Sequence, residues 1–287
     1  MSLRIRTIAR LTGIREATLR AWERRYGFPR PNRSEHNNYR SYSREEVENI
    51  RRVAKLIADG LSASEAIAQV KATPVQALPA GERLSERFWS AVMMMDVDAV
   101  QRVLDEAQAS MEVEVFCNGF LLPLLREMGM RLDIAREHMA SALIRQRLRA
   151  LLDGEEPRAD GPRVVLACPA KDHHEGGLLA LGLQLKRRGW RVTMLGADTP
   201  AEALHSACVQ LSPELVALSF VRRREPEELA AVLAEVVRAC APVRVVVGGA
   251  GAREHLKTLF SLGAQYAESA DELLALWQQA RGAPTRT

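Results

Sequence analysis

The densest group of chemically capable side chains is Pro169-Ala170-Lys171-Asp172-His173-His174-Glu175-Gly176-Gly177. Neutral imidazole is a common metal ligand, and a carboxylate two residues away can orient the ring through its other nitrogen. The histidine pair with Asp172 and Glu175 therefore reads in two ways: a metal site, or a polar loop whose hydrogen bonds are satisfied locally. Three more segments could join it: Gly196-Ala197-Asp198-Thr199-Pro200, Ser219, and Gly248-Gly249-Ala250-Gly251. Glycines there would let a large ligand approach the backbone. A lone Gly-Gly-x-Gly is weak evidence for phosphate binding.

Each of these segments follows a short β-rich run. The runs are 163–168 (RVVLAC), 191–195 (RVTML), 215–220 (LVALSF) and 243–247 (VRVVV), with 264–267 (AQYA) as a fifth. Helical stretches separate them, which predicts a parallel sheet with helices on both faces across residues 163–282. Such sheets bind ligands beyond the carboxyl ends of their strands, where all four segments fall. Residues 83–153 contain little strand pattern. Helices expected at 83–95, 98–109, 112–129 and 134–152 make a small bundle, with Pro123 set to kink or divide the third. Proline and glycine mark linkers at 72–82 and 153–162.

The net charge of +4 hides an asymmetry. Residues 1–72 carry a net +7, mostly arginine, and the remainder a net −3. A basic head on a mildly acidic body points to a polyanionic partner, against the plainer reading of a solvated basic surface. Two short helices, 5–11 and about 15–25, meet at Thr12-Gly13 like a helix-turn-helix. Leu19, Trp22 and Tyr26 make the apolar face of the second helix. Arg15, Thr18, Arg20, Arg24 and Arg25 lie on its other side. Arginine can fork onto phosphates or onto guanine, though Glu16 and Glu23 offer competing ion pairs. Residues 30–42 would form a wing, bringing Arg30, Arg33, Asn37, Asn38 and Arg40 near the DNA backbone. Ser43 and Glu46 are spaced as a capping box, opening a helix buried through Val47, Ile50, Val53, Ile57 and Leu61.

Composition narrows the setting. At 287 residues two or three domains are expected. No apolar run is long enough to span a membrane, and MSLRIRTIARLTG lacks a signal-peptide core. The four cysteines are far apart in sequence without a CxxC pair, which argues against a disulfide framework and for a reducing cytoplasm.

Longer strings are more specific. LRAWERRYGFPRPNR followed by YRSYSREEVENI resembles the MerR family of winged-helix regulators over residues 4–70. That resemblance implies a dimer on a pseudo-palindromic operator in double-stranded DNA. Arg15, Thr18, Arg20, Trp22, Arg24, Arg25 and Tyr26 would belong to the reading helix, and Arg30, Arg33, Tyr39 and Arg40 to the wing. A glycine-rich wing tip is replaced by Glu35-His36-Asn37-Asn38. Further along, Asp172-x-His174-x-x-Gly177, then Ser219, then Gly248-Gly249 resembles the DxHxxG, SxL and GG motifs of cobalamin-binding domains. Val221 stands where the SxL leucine is usual. The resemblance implies that His174 is the lower axial ligand of the cobalt and that Asp172 bonds its imidazole. Ser219 and the two glycines would line the channel for the nucleotide tail, with Gly177 and Asp198 in neighbouring loops.

The whole order is therefore an all-α winged helix-turn-helix head over 1–72, a helical-bundle cap over 83–153, and a flavodoxin-like (Rossmann-type) α/β domain over 163–282. It resembles the CarA/CarH-type repressors of bacterial carotenoid genes, nearest their CarA branch through TIARLTGIREATLRAWERRYGFPRP. In that family adenosylcobalamin favours a DNA-bound oligomer in the dark, and light releases the operator. Light-sensing members carry a tryptophan shortly before a Glu-His pair. Glu137-His138 is present here, but Gly129–Ala135 holds no tryptophan. Lower-face cobalamin binding is thus better supported than light sensing.

Three functions compete. The first is a non-enzymatic repressor modulated by adenosylcobalamin or methylcobalamin through a dimer or tetramer. The second is a cobalamin-independent repressor whose C-terminal part oligomerises or answers an antirepressor protein. The third, a cobalamin-dependent methyltransferase component, is opposed by the DNA-binding head and by the lack of a credible catalytic acid–base pair.

Overall fold

The computed structural model describes residues 4–33, 40–73, 80–156 and 158–282. Contacts divide the chain into two compact units, Met1–Phe116 with Glu127–Ala140, and Cys117–Arg126 with Ser141–Thr287.

The first unit opens with α1 (Ile5–Thr12) and α2 (Glu16–Tyr26). Both end on a left-handed glycine, Gly13 at φ 71° and Gly27 at φ 58°, conformations that glycine adopts without steric cost. Two short strands, β1 (Asn32–Arg33) and β2 (Arg40–Ser41), pair antiparallel as the base of the wing. Then come α3 (Arg44–Ala58) and α4 (Ala63–Ala72). Ile8, Leu19, Trp22, Phe28, Tyr42, Val47, Ile50, Val53 and Ile67 make one core. Trp22 is only 7% exposed, so it fixes α2 from within the core.

The capping box expected at Ser43 and Glu46 forms only by half. Ser43 Oγ accepts from Glu46 N at 3.1 Å, but the Glu46 carboxylate accepts from the Arg30 backbone N–H at 3.0 Å. It ties the wing to α3 instead of closing the helix end. Burial, partly offset by that hydrogen bond, raises its pKa. A complete box occurs one helix later, between Ser62 and Glu65.

Bundle helices α5 (Ala80–Met93) and α6 (Val97–Ser110) pack together. Met93 and Met94, at the end of α5, also pack against the head core. Between α3 and α5 lie the mostly buried Arg51 and Glu86. Burial, eased by Glu86, lowers the Arg51 pKa to about 10. The third bundle helix is divided, as Pro123 foretold: α7 (Val113–Val115), a π-helical turn at Phe116–Leu121, then α8 (Leu122–Arg131). Proline lacks the N–H that would bond back four residues, and the wider turn takes up the break. Helix α9 (Ile134–Gly154) follows.

The second unit holds the α/β domain. Its elements are β3 (Arg163–Pro169), α10 (Gly176–Arg187), β4 (Arg191–Thr199), α11 (Ala201–Leu211), β5 (Leu215–Ser219), α12 (Pro226–Cys240), β6 (Arg244–Gly248), α13 (Ala250–Arg253), α14 (Leu256–Ser261), β7 (Gln265–Tyr266) and α15 (Ala270–Gly282). All five strands are parallel, in the order β4-β3-β5-β6-β7. Strand alternation explains the layers. Val165, Ala167, Val216, Leu218, Val245 and Val247 face α11 and α12, whereas Val164, Leu166, Leu215, Ala217 and Val246 face α10 and α15.

One expectation changes here: Gly196–Thr199 is not loop but the end of β4, reached past register shifts opposite Ala167. All four cysteines are buried free thiols; burial, reinforced by the neighbouring Cys208, pushes Cys240 up to about 12, far from a thiolate.

If Trp22 is core and Arg24 is surface, Trp22→Ala should cost about 3 kcal/mol or more. Arg24→Ala should stay within about 0.5 kcal/mol. Native-state hydrogen exchange at the amides of α1, α2 and α3 measures both.

Candidate functional site

In a sheet ordered β4-β3-β5-β6-β7 the connections reverse between β3 and β5, and a crevice opens there at the carboxyl ends. The structure brings Asp172 to that point. Its side chain is 0% exposed and both oxygens are engaged. Oδ1 accepts from the His174 backbone N–H at 3.3 Å and stands 3.0 Å from ring Nδ1. Oδ2 accepts from Val221 N at 2.8 Å and Arg222 N at 2.9 Å, across the switch point on the loop after β5. Burial alone would raise the Asp172 pKa. The His174 ring and the backbone N–H groups of Arg222, Val221 and His174 outweigh it, and the carboxyl ends well below the usual range.

An ionised Asp172 determines the tautomer of His174. With the proton on Nδ1 and shared with the carboxylate, Nε2 carries the lone pair, the form in which imidazole ligates a metal. The ring is presented outward, its side chain 58% exposed. Asp172 thus bonds His174 through both its backbone N–H and its ring.

The other motif residues hold the loops around this pair. Asp198, in a left-handed conformation, accepts from Lys171 N at 2.7 Å, and its own N–H donates to the Asp172 carbonyl at 3.0 Å. Ser219 is the buried last residue of β5. Gly248 ends β6, and its carbonyl accepts from Phe220 N at 2.9 Å. Gly249 has φ 98°, and a Cβ there would lie 2.3 Å from the Phe220 carbonyl oxygen. Gly251 is as tight against the Arg222 carbonyl oxygen, at 2.4 Å. The glycines therefore close the β6 loop onto the β5 loop. Gly177 has open space around it, whereas Gly176 is packed on Leu125.

A further residue joins the site that no motif marked, Arg224. It ends a run of three arginines, 222–224, whose middle member Arg223 is 85% exposed. Arg224 is 0% exposed, with Nη1 3.4 Å from Asp172 Oδ2 and Nη2 donating to the Ala170 carbonyl at 2.9 Å. The only prior signal was its place directly after the β5 motif.

In the first unit, Arg15, Arg20, Arg24, Arg25 and Arg30 are exposed, while Thr18 and Tyr26 are half-buried. Arg20 pairs with Glu16 at 3.6 Å, as the helical spacing allowed. Arg33 and Arg40 sit opposite each other in the β1–β2 register. Asn37, Asn38 and Tyr39 lie outside the described residues. Glu137 and His138 form a 3.6 Å pair near the start of α9. No helix among the described residues is long and apolar enough to cross a membrane.

The residues fit a cobalt corrinoid on the structure's own terms: an outward imidazole with a carboxylate-fixed tautomer at the carboxyl edge of the sheet, near Gly177, which has open space around it. Asp172→Asn in the ligand-free protein would leave the buried Arg224 with only the half-exposed Glu228, 3.8 Å away, as counter-charge, at a cost of about 3 kcal/mol. A depressed carboxylate pKa stabilises above the unfolded value of about 4, and the gain is lost as pH falls through the folded pKa. Denaturant melts should therefore show the wild-type advantage in full at neutral pH and shrinking below about pH 4.

Comparison with known proteins agrees with this geometry. Residues 3–71 match the family model for MerR HTH family regulatory protein, and residues 84–152 and 162–276 match two B12 binding domain models. The chain is 70% identical to the HTH-type transcriptional repressor CarA of Myxococcus xanthus, over 100% of both chains. It is 35% identical to the HTH-type transcriptional repressor CarH of the same organism, over 88% of this chain and 90% of that one. The monomethylamine corrinoid protein of Methanosarcina barkeri shares the fold, at TM-score 0.55 and 16% identity, over 70% of this chain and 100% of that one. With a MerR-type head, a B12 binding domain and this full-length identity, the chain belongs to the family of HTH-type transcriptional repressors that includes CarA and CarH.

Proposed function

We propose that this protein represses carotenoid-synthesis genes from an operator, and that cobalamin bound by the α/β domain sets its oligomeric state and operator occupancy. The observation that carries the reading is the Asp172–His174 pair at the switch point, on one chain with the arginine-bearing helix α2.

Arg15, Thr18, Arg20, Arg24, Arg25 and Tyr26 are assigned to the major-groove side, and Arg30, Arg33, Asn38, Tyr39 and Arg40 to the wing. Arginine there would neutralise phosphates and read guanine edges. His174 would hold cobalt through Nε2, with Asp172 keeping its proton on the far nitrogen. Ser219, Gly248 and Gly249 would line the space for the nucleotide tail, bordered by Gly177 and Asp198. Glu137 and His138 are assigned to the cap side. Bound cobalamin, as adenosylcobalamin or methylcobalamin, would supply a cobalt centre able to accept one nitrogen donor. Regulation then requires only that the ligand favour one oligomeric state over another, a dimer or tetramer holding the operator. The protein would work in the cytoplasm.

A second reading is favoured by one observation, the lack of tryptophan in Gly129–Ala135 ahead of Glu137-His138. In it the C-terminal part oligomerises without a ligand, and an antirepressor protein competes with DNA for the head.

Mobility-shift assays on operator DNA should show Arg24→Ala binding about tenfold or more weakly, and loss of residues 1–72 abolishing binding. Full binding by the truncated chain would refute the assignment. Incubation with adenosylcobalamin or methylcobalamin, followed by gel filtration in the dark, should give a coloured protein of altered size. A colourless protein of unchanged size would leave the second reading standing.

A further inference from the structure

The Asp172 carboxylate has two oxygens with different work. Oδ1 serves His174, and Oδ2 is held by Val221 N, Arg222 N and the Arg224 guanidinium. Arg224 differs from the two backbone donors because it also spans the loops. Its Nη2 donates to Ala170, on the loop after β3, while its guanidinium carbon lies 5.1 Å from the Phe220 ring centroid, on the loop after β5. Its Nε stands 3.8 Å from Glu228 Oε1, on α12. A planar, permanently charged fork bonded to both loops through Nη1 and Nη2, though not through its buried Nε, resists swinging to follow a rotating carboxylate. It pins Oδ2 to the far side and so leaves Oδ1 directed at Nδ1 of His174.

Burying an arginine is costly, and a buried charge pair is weak evidence for stability alone, since apolar residues of similar volume often stabilise as well or better. Here the pair sits behind the imidazole of His174, held through Asp172. Partners one step removed from a metal ligand orient it, and their loss commonly weakens metal binding.

We propose that Arg224 is a positioning residue for the lower cobalt ligand: by locking the Asp172 carboxylate across the β3 and β5 loops, it sets the orientation in which His174 meets the corrinoid. The inference rests on the reading of His174 as axial ligand.

The full-length protein and its Arg224→Gln, Arg224→Lys and His174→Ala variants are each titrated with methylcobalamin in the dark. The visible spectrum and affinity are recorded, and far-UV circular dichroism checks folding. His174→Ala supplies the reference spectrum without histidine ligation. Arg224→Gln should shift most of the bound pigment to that spectrum and weaken binding about 10- to 100-fold. Arg224→Lys keeps the charge but cannot reach both Asp172 and Ala170, so it should give an intermediate mixture. If Arg224→Gln does not fold, Arg224→Lys decides by the same spectrum. Weaker binding with the wild-type spectrum would make Arg224 only a structural clamp and overturn the proposal, as would wild-type spectrum and affinity in both variants. If His174→Ala matches wild type, the axial-ligand reading fails first, and this inference falls with it.

Discussion

A carboxylate taken out of water is tolerable only if its charge is met from several sides at once. Asp172 meets that condition with backbone N–H groups from two loops, an imidazole and a buried guanidinium. No single element supplies these donors. They converge because β3 and β5 are neighbours in the sheet although α10, β4 and α11 separate them in the chain. The loops after both strands, the outward presentation of His174 and the burial of Arg224 all follow from satisfying that one charge.

The glycines are the second half of the same constraint. The loop after β5 can reach Asp172 only if the loop after β6 lies close behind it. Phe220 N bonds the Gly248 carbonyl, and Gly251 N bonds the Phe220 carbonyl, both at 2.9 Å. Side chains at Gly249 or Gly251 would strike the β5 loop. The GG motif therefore acts on the backbone of the neighbouring loop. In the head, Trp22 and the Glu46–Arg30 bond play the corresponding part: one holds α2 from the core, the other ties the segment before β1 to α3.

Most of the fold was legible because strong periodicities were present. Short β-rich runs, nearly continuously apolar as strands covered on both faces are, marked β3 to β6, and three-four spacings marked α2 and α3. Where reading failed, a tertiary partner had intervened. Glu46 has capping-box spacing after Ser43, but the Arg30 N–H, sixteen residues away, competes for its carboxylate and wins. Gly196–Thr199 looks like a turn, yet strand pairing with β3 extends through it.

By itself the sequence determined the order of the parts, a basic helix-turn-helix head, a helical cap and a parallel α/β domain, together with the residue types at the site. Those are local properties: charge content, hydrophobic period and short motifs. Only the tertiary structure showed which of the two histidines Asp172 holds, His174 through both its backbone N–H and its ring, and singled out Arg224 from Arg222 and Arg223 by burial. Hydrogen bonding to Asp172 and removal from water are properties of the sheet's switch point, where residues some fifty positions apart become neighbours. Identical side chains in one short run thus come to differ completely in burial and role.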